Sequence, residues 1–462
     1  MKMRVFSALL VAACSFSSAQ SASYETLGES DCNEADLAAM KTWFPHDQTS
    51  APSNTLTSDT NCAFHVWSTQ MFLWLTQNDP ATGQPRVLSE YSLDELFAPL
   101  GGEAEARIKA KQVLRLTPKT AKSDSPDLDE FQQAGSRGIL VDQNNRAVYY
   151  SQFVNDTFYD FVRSTFFSQG SGGTFDPALL AAATGQKDFF PSGAMELKIS
   201  WKIVAEGEEG GWFTTPAEIH KLKEVDGKIV VDPDNTEQVT VAMVGMHVVG
   251  RVDDHPEMIW ATFEQNDNAP DLPAGMQPDS SDPVSDRNWT FYKAGTAAKD
   301  SNQNPGGDLK LDPATQSMTP VVNVFRQFAM GTINGGSGAP TNRANIEMIN
   351  GFYHDNFEPA GSVWQSYMEV GSIWMLPNTL EPGQFPITEL RGSTMLSNST
   401  METYTQADDQ CFSCHNTLPV KRPVGGQEVT LPATNFNISH VLVVEYFRAM
   451  AEKQGMKVRS VR

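Results

Sequence analysis

Two cysteines separated by two residues and followed at once by a histidine constrain this chain more than any other feature. They are Cys411–Phe412–Ser413–Cys414–His415, near the C-terminal end of 462 residues. Thiols at this spacing can add across the two vinyl groups of one haem. An imidazole on the next residue can then reach the iron from the same side. Zinc sites and thioredoxin-like sites also use two cysteines at this spacing. Zinc needs further ligands, and the other cysteines all lie within the first 62 residues. A redox site of the thioredoxin type needs a preceding strand in a βαβ setting, which Thr403 to Gln410 does not supply. The segment therefore predicts one covalently attached haem c, with His415 as the proximal iron ligand.

The sixth iron ligand is open at this level. His440 stands at the start of the last predicted helix, after Asn437–Ile438–Ser439, and is the first candidate. Met450, Met456, Met401 and Met395 are the thioether alternatives, and an open or water-filled site is the third. Two firm protein ligands imply electron transfer, whereas an open face permits ligand binding or peroxide chemistry.

The N-terminus reads as a targeting segment covering 1–19. Met1–Lys2–Met3–Arg4 is a positive n-region, Val5 to Ala13 is apolar, and Ser17–Ser18–Ala19 offers a small-x-small cleavage signal before Gln20. Val11–Ala12–Ala13–Cys14 supports a second reading, a lipobox that would leave a lipid anchor on Cys14. Both readings export the protein, to the periplasm or beyond in the first and to a bacterial membrane surface in the second. No later stretch reaches the roughly 18 apolar residues of a spanning helix. In an oxidising compartment the two remaining cysteines, Cys32 and Cys62, are expected to pair. Fifty-six acidic against 34 basic side chains leave a net charge of -22, which disfavours nucleic acid and anionic lipid as partners.

The body, 20–385, reads as β-rich with peripheral helices. A helix is predicted over 33–41, and Phe64, Trp67, Met71, Trp74 and Leu75 form a helical aromatic stripe that belongs in a core. A charged helix is predicted over 103–114, a loop over 117–129, and helices at Phe158 to Thr165 and Asn342 to His354. Strands are predicted at 138–141, 147–150, 195–204, 239–252 and 258–263, with mixed structure over 362–374 and loop through 265–320. The 386–462 region carries the motif, a short helix capped by Ser399 and Glu402, and a last helix from His440 to Gly455. The fold class is thus α+β, with a small, mainly helical haem lobe.

The other histidines are assigned more ordinary places. His247, in line with Val239, Val241 and Met243, reads as a core histidine. His255, at the Asp253–Asp254 turn, reads as exposed and protonated, and with Asp253 and Glu264 as a weak candidate cation site. His65 falls in the helix after Cys62, and His354 at a surface helix end. Trp201, Trp260, Trp364 and Trp374 are candidates to line a pocket.

The Cys411 to His415 segment resembles the attachment site of c-type cytochromes. More widely, Leu197 to Lys202, His255–Pro256–Glu257 through Thr262–Phe263–Glu264, Thr400–Met401–Glu402–Thr403, and Cys411 to Asn416 resemble a group of large exported bacterial cytochrome c-like proteins. That resemblance implies haem and export and carries no defined reaction. The second Cys-x-x-Cys-His segment of di-haem peroxidases is missing. The sequence therefore points to a monohaem electron carrier docking a redox partner protein or a small electron donor. The alternatives are a haem-dependent oxidoreductase acting on a small substrate between body and haem lobe, and a binding protein with structural or sensory haem.

Overall fold

The computed structural model describes residues 29–101, 114–118, 138–183, 188–205, 207–208, 210–334, 338–358, 361–385, 388–408 and 410–456. The export signal, Cys14 and most of the predicted 103–114 helix and 117–129 loop lie outside them.

Nine strands make one sheet: β1 (Tyr91–Ser92), β2 (Leu114–Pro118), β3 (Tyr149–Val154), β4 (Met195–Val204), β5 (Thr214–Val225), β6 (Lys228–Val252), β7 (His255–Gln265), β8 (Tyr367–Met375) and β9 (Leu390–Gly392). β6 is long enough to take β5 and then β7 along one edge, while β4 runs along the other. β4 also pairs β3, β3 pairs β2, and β2 pairs β5 in parallel, so five strands close a circuit. β8 and β9 extend the sheet beyond β7. Mixed helices and antiparallel strands bear out the α+β class.

The main helices are α1 (Glu34–Lys41), α2 (Asn61–Thr76), α3 (Asp156–Phe166), α4 (Ala339–Phe357), the single turn α5 (Cys411–Cys414) and α6 (His440–Lys453). Their starts follow from side-chain caps. Asn33 and Asp36 form a capping box on α1, Thr60 accepts from the Ala63 N–H, and Asn155 accepts from the Phe158 N–H. α2 is apolar nearly all round and is accordingly buried, with Phe64, Trp67, Met71 and Phe72 in the main core. Among the described residues no helix is long and apolar enough to cross a membrane.

Two cores share the sheet. One joins α2 and α4 to alternate residues of β4, β6 and β7, including Leu197, Ile199, Trp201, Met246 and Val248. The other joins α3 and α6 to Val249, Trp260 and Ile373 and takes in Phe412 of α5. The C-terminal segment is therefore built into the body: β9 extends its sheet, and α6 completes its second core. The hairpin of β10 (Val420–Val424) and β11 (Gln427–Leu431) packs against α6.

Three expectations change. Ser399 and Glu402 do not start an α-helix. The Glu402 carboxylate instead accepts the Asn398 N–H at 2.8 Å, and the following residues form turns. His255 is buried, hydrogen-bonded to Glu257 at 2.8 Å and edge-on to Phe64, because the β6–β7 turn folds under α2. His255, Asp253 and Glu264 do not converge. Glu264 lies nine residues along β7 from His255, roughly 30 Å of extended chain, and Asp253 is engaged by Ser192 and Thr55.

Cys32 and Cys62 lie at disulfide distance, with Cα atoms 5.0 Å apart, tying the chain ahead of α1 to the first turn of α2. The bridge spans 30 positions. Replacing both cysteines by serine should lower unfolding stability by about 3.5 kcal/mol, as expected for a closed loop of that length. Chemical denaturation under non-reducing conditions measures this, and reductant should lower the parent protein to the same level.

Candidate functional site

The motif sits at a point where a buried ring leaves its cysteines facing outward. α5 is one turn, closed by the His415 N–H donating to the Cys411 carbonyl at 2.8 Å. Phe412 is buried edge-on to Trp260 and fixes that turn to the sheet. Cys411 is then half-buried and Cys414 exposed, both on the wall of one solvent-open cavity.

His415 lines the same cavity, with its Nδ1 3.0 Å from the Ile438 carbonyl. A carbonyl can only accept, so Nδ1 carries the proton and Nε2 keeps its lone pair. Burial holds the His415 pKa well below its ordinary value, with His440 adding to the effect. The Ile438 carbonyl opposes it, and Lys198 and His247 lower the pKa further. The ring is therefore a neutral imidazole of one tautomer, the form and orientation a metal-ligating histidine needs. Trp260 packs beside it, ring centroids 4.2 Å apart.

His440, at the first position of α6, is the one sixth-ligand candidate on the cavity wall. Its ring stacks on His415 at 3.8 Å and 24°, and its Nε2 lies 3.1 Å from the Cys414 carbonyl. The Nε2 lone pair of His415 lies in its own ring plane, so a ring over its face is beside that lone pair and not across from it. Met401, Met450, Met456 and Met395 do not line the cavity.

The floor is the sheet itself. Gln152, Lys198, His247 and Thr262 are successive cross-strand partners on β3, β4, β6 and β7. Glu196, Val249 and Trp260 form the next row. All seven line the cavity. The sequence alternation placed His247 with Val241 and Met243 in the core, and the structure corrects this. β6 bulges between Met243 and Gly245, so Val244 is an extra residue and the two faces exchange. Val244, Met246 and Val248 then take the core side, and His247 turns to the cavity.

Four ionisable side chains surround that floor. His247 Nε2 lies 3.2 Å from Glu402 Oε1. Glu196 accepts from Ser439 Oγ at 2.5 Å, and burial pushes its pKa up to about 7 against the pull of Ser439 and Lys198. Burial also pulls the Lys198 pKa down to about 8, opposed by Glu402 and Glu196. Neither lysine nor glutamate was singled out by a motif. Their signal is the run Glu196, Lys198, Ser200 and Lys202, a polar alternate face on a strand buried throughout.

The side wall, 396–402, is clamped to the sheet. Glu264 accepts from the Ser399 N–H at 2.7 Å and from Arg326 at 3.1 Å. Asn398 donates to Thr262 Oγ1 at 2.9 Å, and Ser200 meets Thr400 at 2.6 Å. Gly245 lies beneath this wall. A Cβ there would come within 2.9 Å of the Asn398 amide and the Thr400 hydroxyl.

Of the four candidate tryptophans only Trp260 reaches the cavity; Trp201, Trp364 and Trp374 belong to the main core. His65 is buried on α2, bonded to Glu369 at 2.7 Å and Asn342 at 2.9 Å, and His354 is exposed. No family model, curated protein or solved structure matches this chain.

The Glu196 carboxyl gives a pH test. Its folded pKa, about 7, stands above the ordinary 4.5, so the folded chain holds a proton that the unfolded chain releases between these values. Stability should therefore fall as pH rises from about 4.5 to about 7 and stay lower above that, by roughly 3 kcal/mol or less. Glu196→Gln should remove that contribution. Urea unfolding should find the variant more stable than the parent at about pH 8, with the difference shrinking toward about pH 4.5.

Proposed function

We propose that this chain is an exported monohaem c-type electron-transfer protein. The observation carrying this reading is one cavity wall bearing Cys411, Cys414 and a His415 whose Nδ1 is tied to the Ile438 carbonyl. The donor set fits haem c: two thiols at the right spacing to bond its vinyl carbons and one neutral imidazole for the iron. When bound, the haem supplies a one-electron cycle between Fe(III) and Fe(II). Ile438 orients the proximal imidazole, and Phe412 and Trp260 hold the turn that carries it. The acidic surface suits solubility and favours a redox partner of neutral or basic character. A haem region built into the body, as β9 and α6 are, would keep cavity and sheet in fixed register.

A second reading, a haem-dependent oxidoreductase acting on a small substrate, is favoured by the polar floor. An electron carrier has no need of Lys198, His247, Glu402 and Glu196 around its cavity, whereas a reaction consuming protons does. The flat stacking of His440 on His415 points the same way, since it sets the one sixth-ligand candidate on the cavity wall beside the His415 Nε2 lone pair.

Protein made in a host with haem-attachment machinery should retain haem through acid–acetone extraction, and the Cys411→Ala, Cys414→Ala variant should lose it. Prompt carbon monoxide binding to the reduced protein supports the second reading. A low-spin spectrum unmoved by carbon monoxide supports the carrier. His440→Ala should leave the spin state of the oxidised protein as it was, and a change from low to high spin would put His440 on the iron. Absence of covalent haem in the parent would sink both readings.

A further inference from the structure

We propose that Lys198 is the anion-recognition residue of this cavity and takes a carboxylate or comparable small oxyanion. The inference rests on the cavity being the ligand-bearing site of the preceding reading. Lys198 is 8% exposed and lines the cavity. Its ammonium makes no hydrogen bond, and no ion pair within 4.0 Å, among the described residues. Its nearest aromatic contact is the Tyr150 ring, 5.9 Å from nitrogen to centroid and at the outer limit of a cation–π interaction. Glu402 and Glu196 offset its charge only from beyond contact distance, so acceptors within hydrogen-bond reach have to come from whatever fills the space it faces.

The neighbouring groups say what that partner is. The facing carboxylates are already engaged, Glu402 by His247 and the Asn398 N–H, and Glu196 by the Ser439 hydroxyl. His415 and His440 donate to the Ile438 and Cys414 carbonyls. On either side of Lys198 in the same cross-strand row stand the Gln152 amide and, beyond His247, the Thr262 hydroxyl. Thr262 Oγ1 accepts from Asn398, which leaves its own proton to donate. Lys198 and the adjacent Gln152 amide thus offer donors to a compact group of acceptor oxygens, and the Thr262 hydroxyl adds another two strands further along the same floor. The adjoining row, Val249 and Trp260 with Leu396 above, offers apolar surface to whatever carries that group. Two sources share this chemistry: a propionate of the haem itself, or a free small oxyanion such as formate.

Three proteins decide between them: the parent, Lys198→Met and Lys198→Arg, each checked by thermal melting. In the first arm the haem-free full-length chains are titrated with hemin and with hemin dimethyl ester. If a propionate is the partner, the parent should prefer free hemin by at least tenfold, Lys198→Met should lose that preference, and Lys198→Arg should restore it. In the second arm formate is titrated into the haem-loaded chains and followed by the Soret band. If a free oxyanion is the partner, the Kd should rise at least tenfold in Lys198→Met and recover in Lys198→Arg. Unchanged behaviour of a folded Lys198→Met protein in both arms overturns the proposal. So does a spin-state change on substitution without added anion, which would put the amine on the iron. A parent that acquires no covalent haem fails the cofactor reading instead. Calorimetry of formate binding to the haem-free chains then decides the role of Lys198 separately.

Discussion

A carboxylate with no exposure to water, Glu264, holds the side wall of the cavity to its floor. It lies on β7 and accepts from the Arg326 guanidinium and from both the N–H and the hydroxyl of Ser399. A buried ionised pair of this kind costs several kcal/mol to desolvate and is kept only where every lone pair is satisfied. Here that satisfaction comes from a segment more than 130 positions away, so the wall at 396–402 cannot leave the sheet without stranding the charge. Glu402, and then the motif turn at 411–415, follow directly from this anchored segment. The close approach also requires Gly245, where a Cβ would run into the Asn398 amide and the Thr400 hydroxyl.

The strand β4 decides which chemistry that wall encloses. It is buried from Met195 to Val204, with Leu197, Ile199 and Trp201 in the main core and Glu196 and Lys198 turned to the cavity. Placing charged side chains on the inner face of a covered strand is unfavourable in itself, and their pKa values move toward neutrality as a result. Stability alone would select apolar residues at these positions. Groups that titrate near neutral pH in a cavity are the pattern of a functional site.

The route by which the histidines reach that cavity separates local from non-local information. His415 follows its cysteines in sequence, and its place was legible at once. His440 was legible as a helix start and as a neighbour of the motif, but its flat stacking on His415 follows from how α6 closes the second core with α3 and the sheet. His247 was misplaced by simple alternation, because one extra residue at Val244 exchanges the faces of β6. A bulge leaves no mark on the hydrophobic pattern when both faces of the strand are buried, as they are here.

The sequence by itself determined the Cys411–Cys414–His415 triad, the strands at 195–204 and 258–263, the helices from α1 to α6 apart from the single motif turn, and the pairing of Cys32 with Cys62. Each of these rests on contacts or periodicities within a short stretch, or on the scarcity of cysteine. Only the tertiary structure decided that the motif is built into the body, that His255 is buried, and that Lys198, His247, Glu196 and Glu402 meet around one cavity. Those outcomes depend on strand register and on a wall clamped from far along the chain. Register is set by the sum of many cross-strand contacts, which no local pattern of residues records.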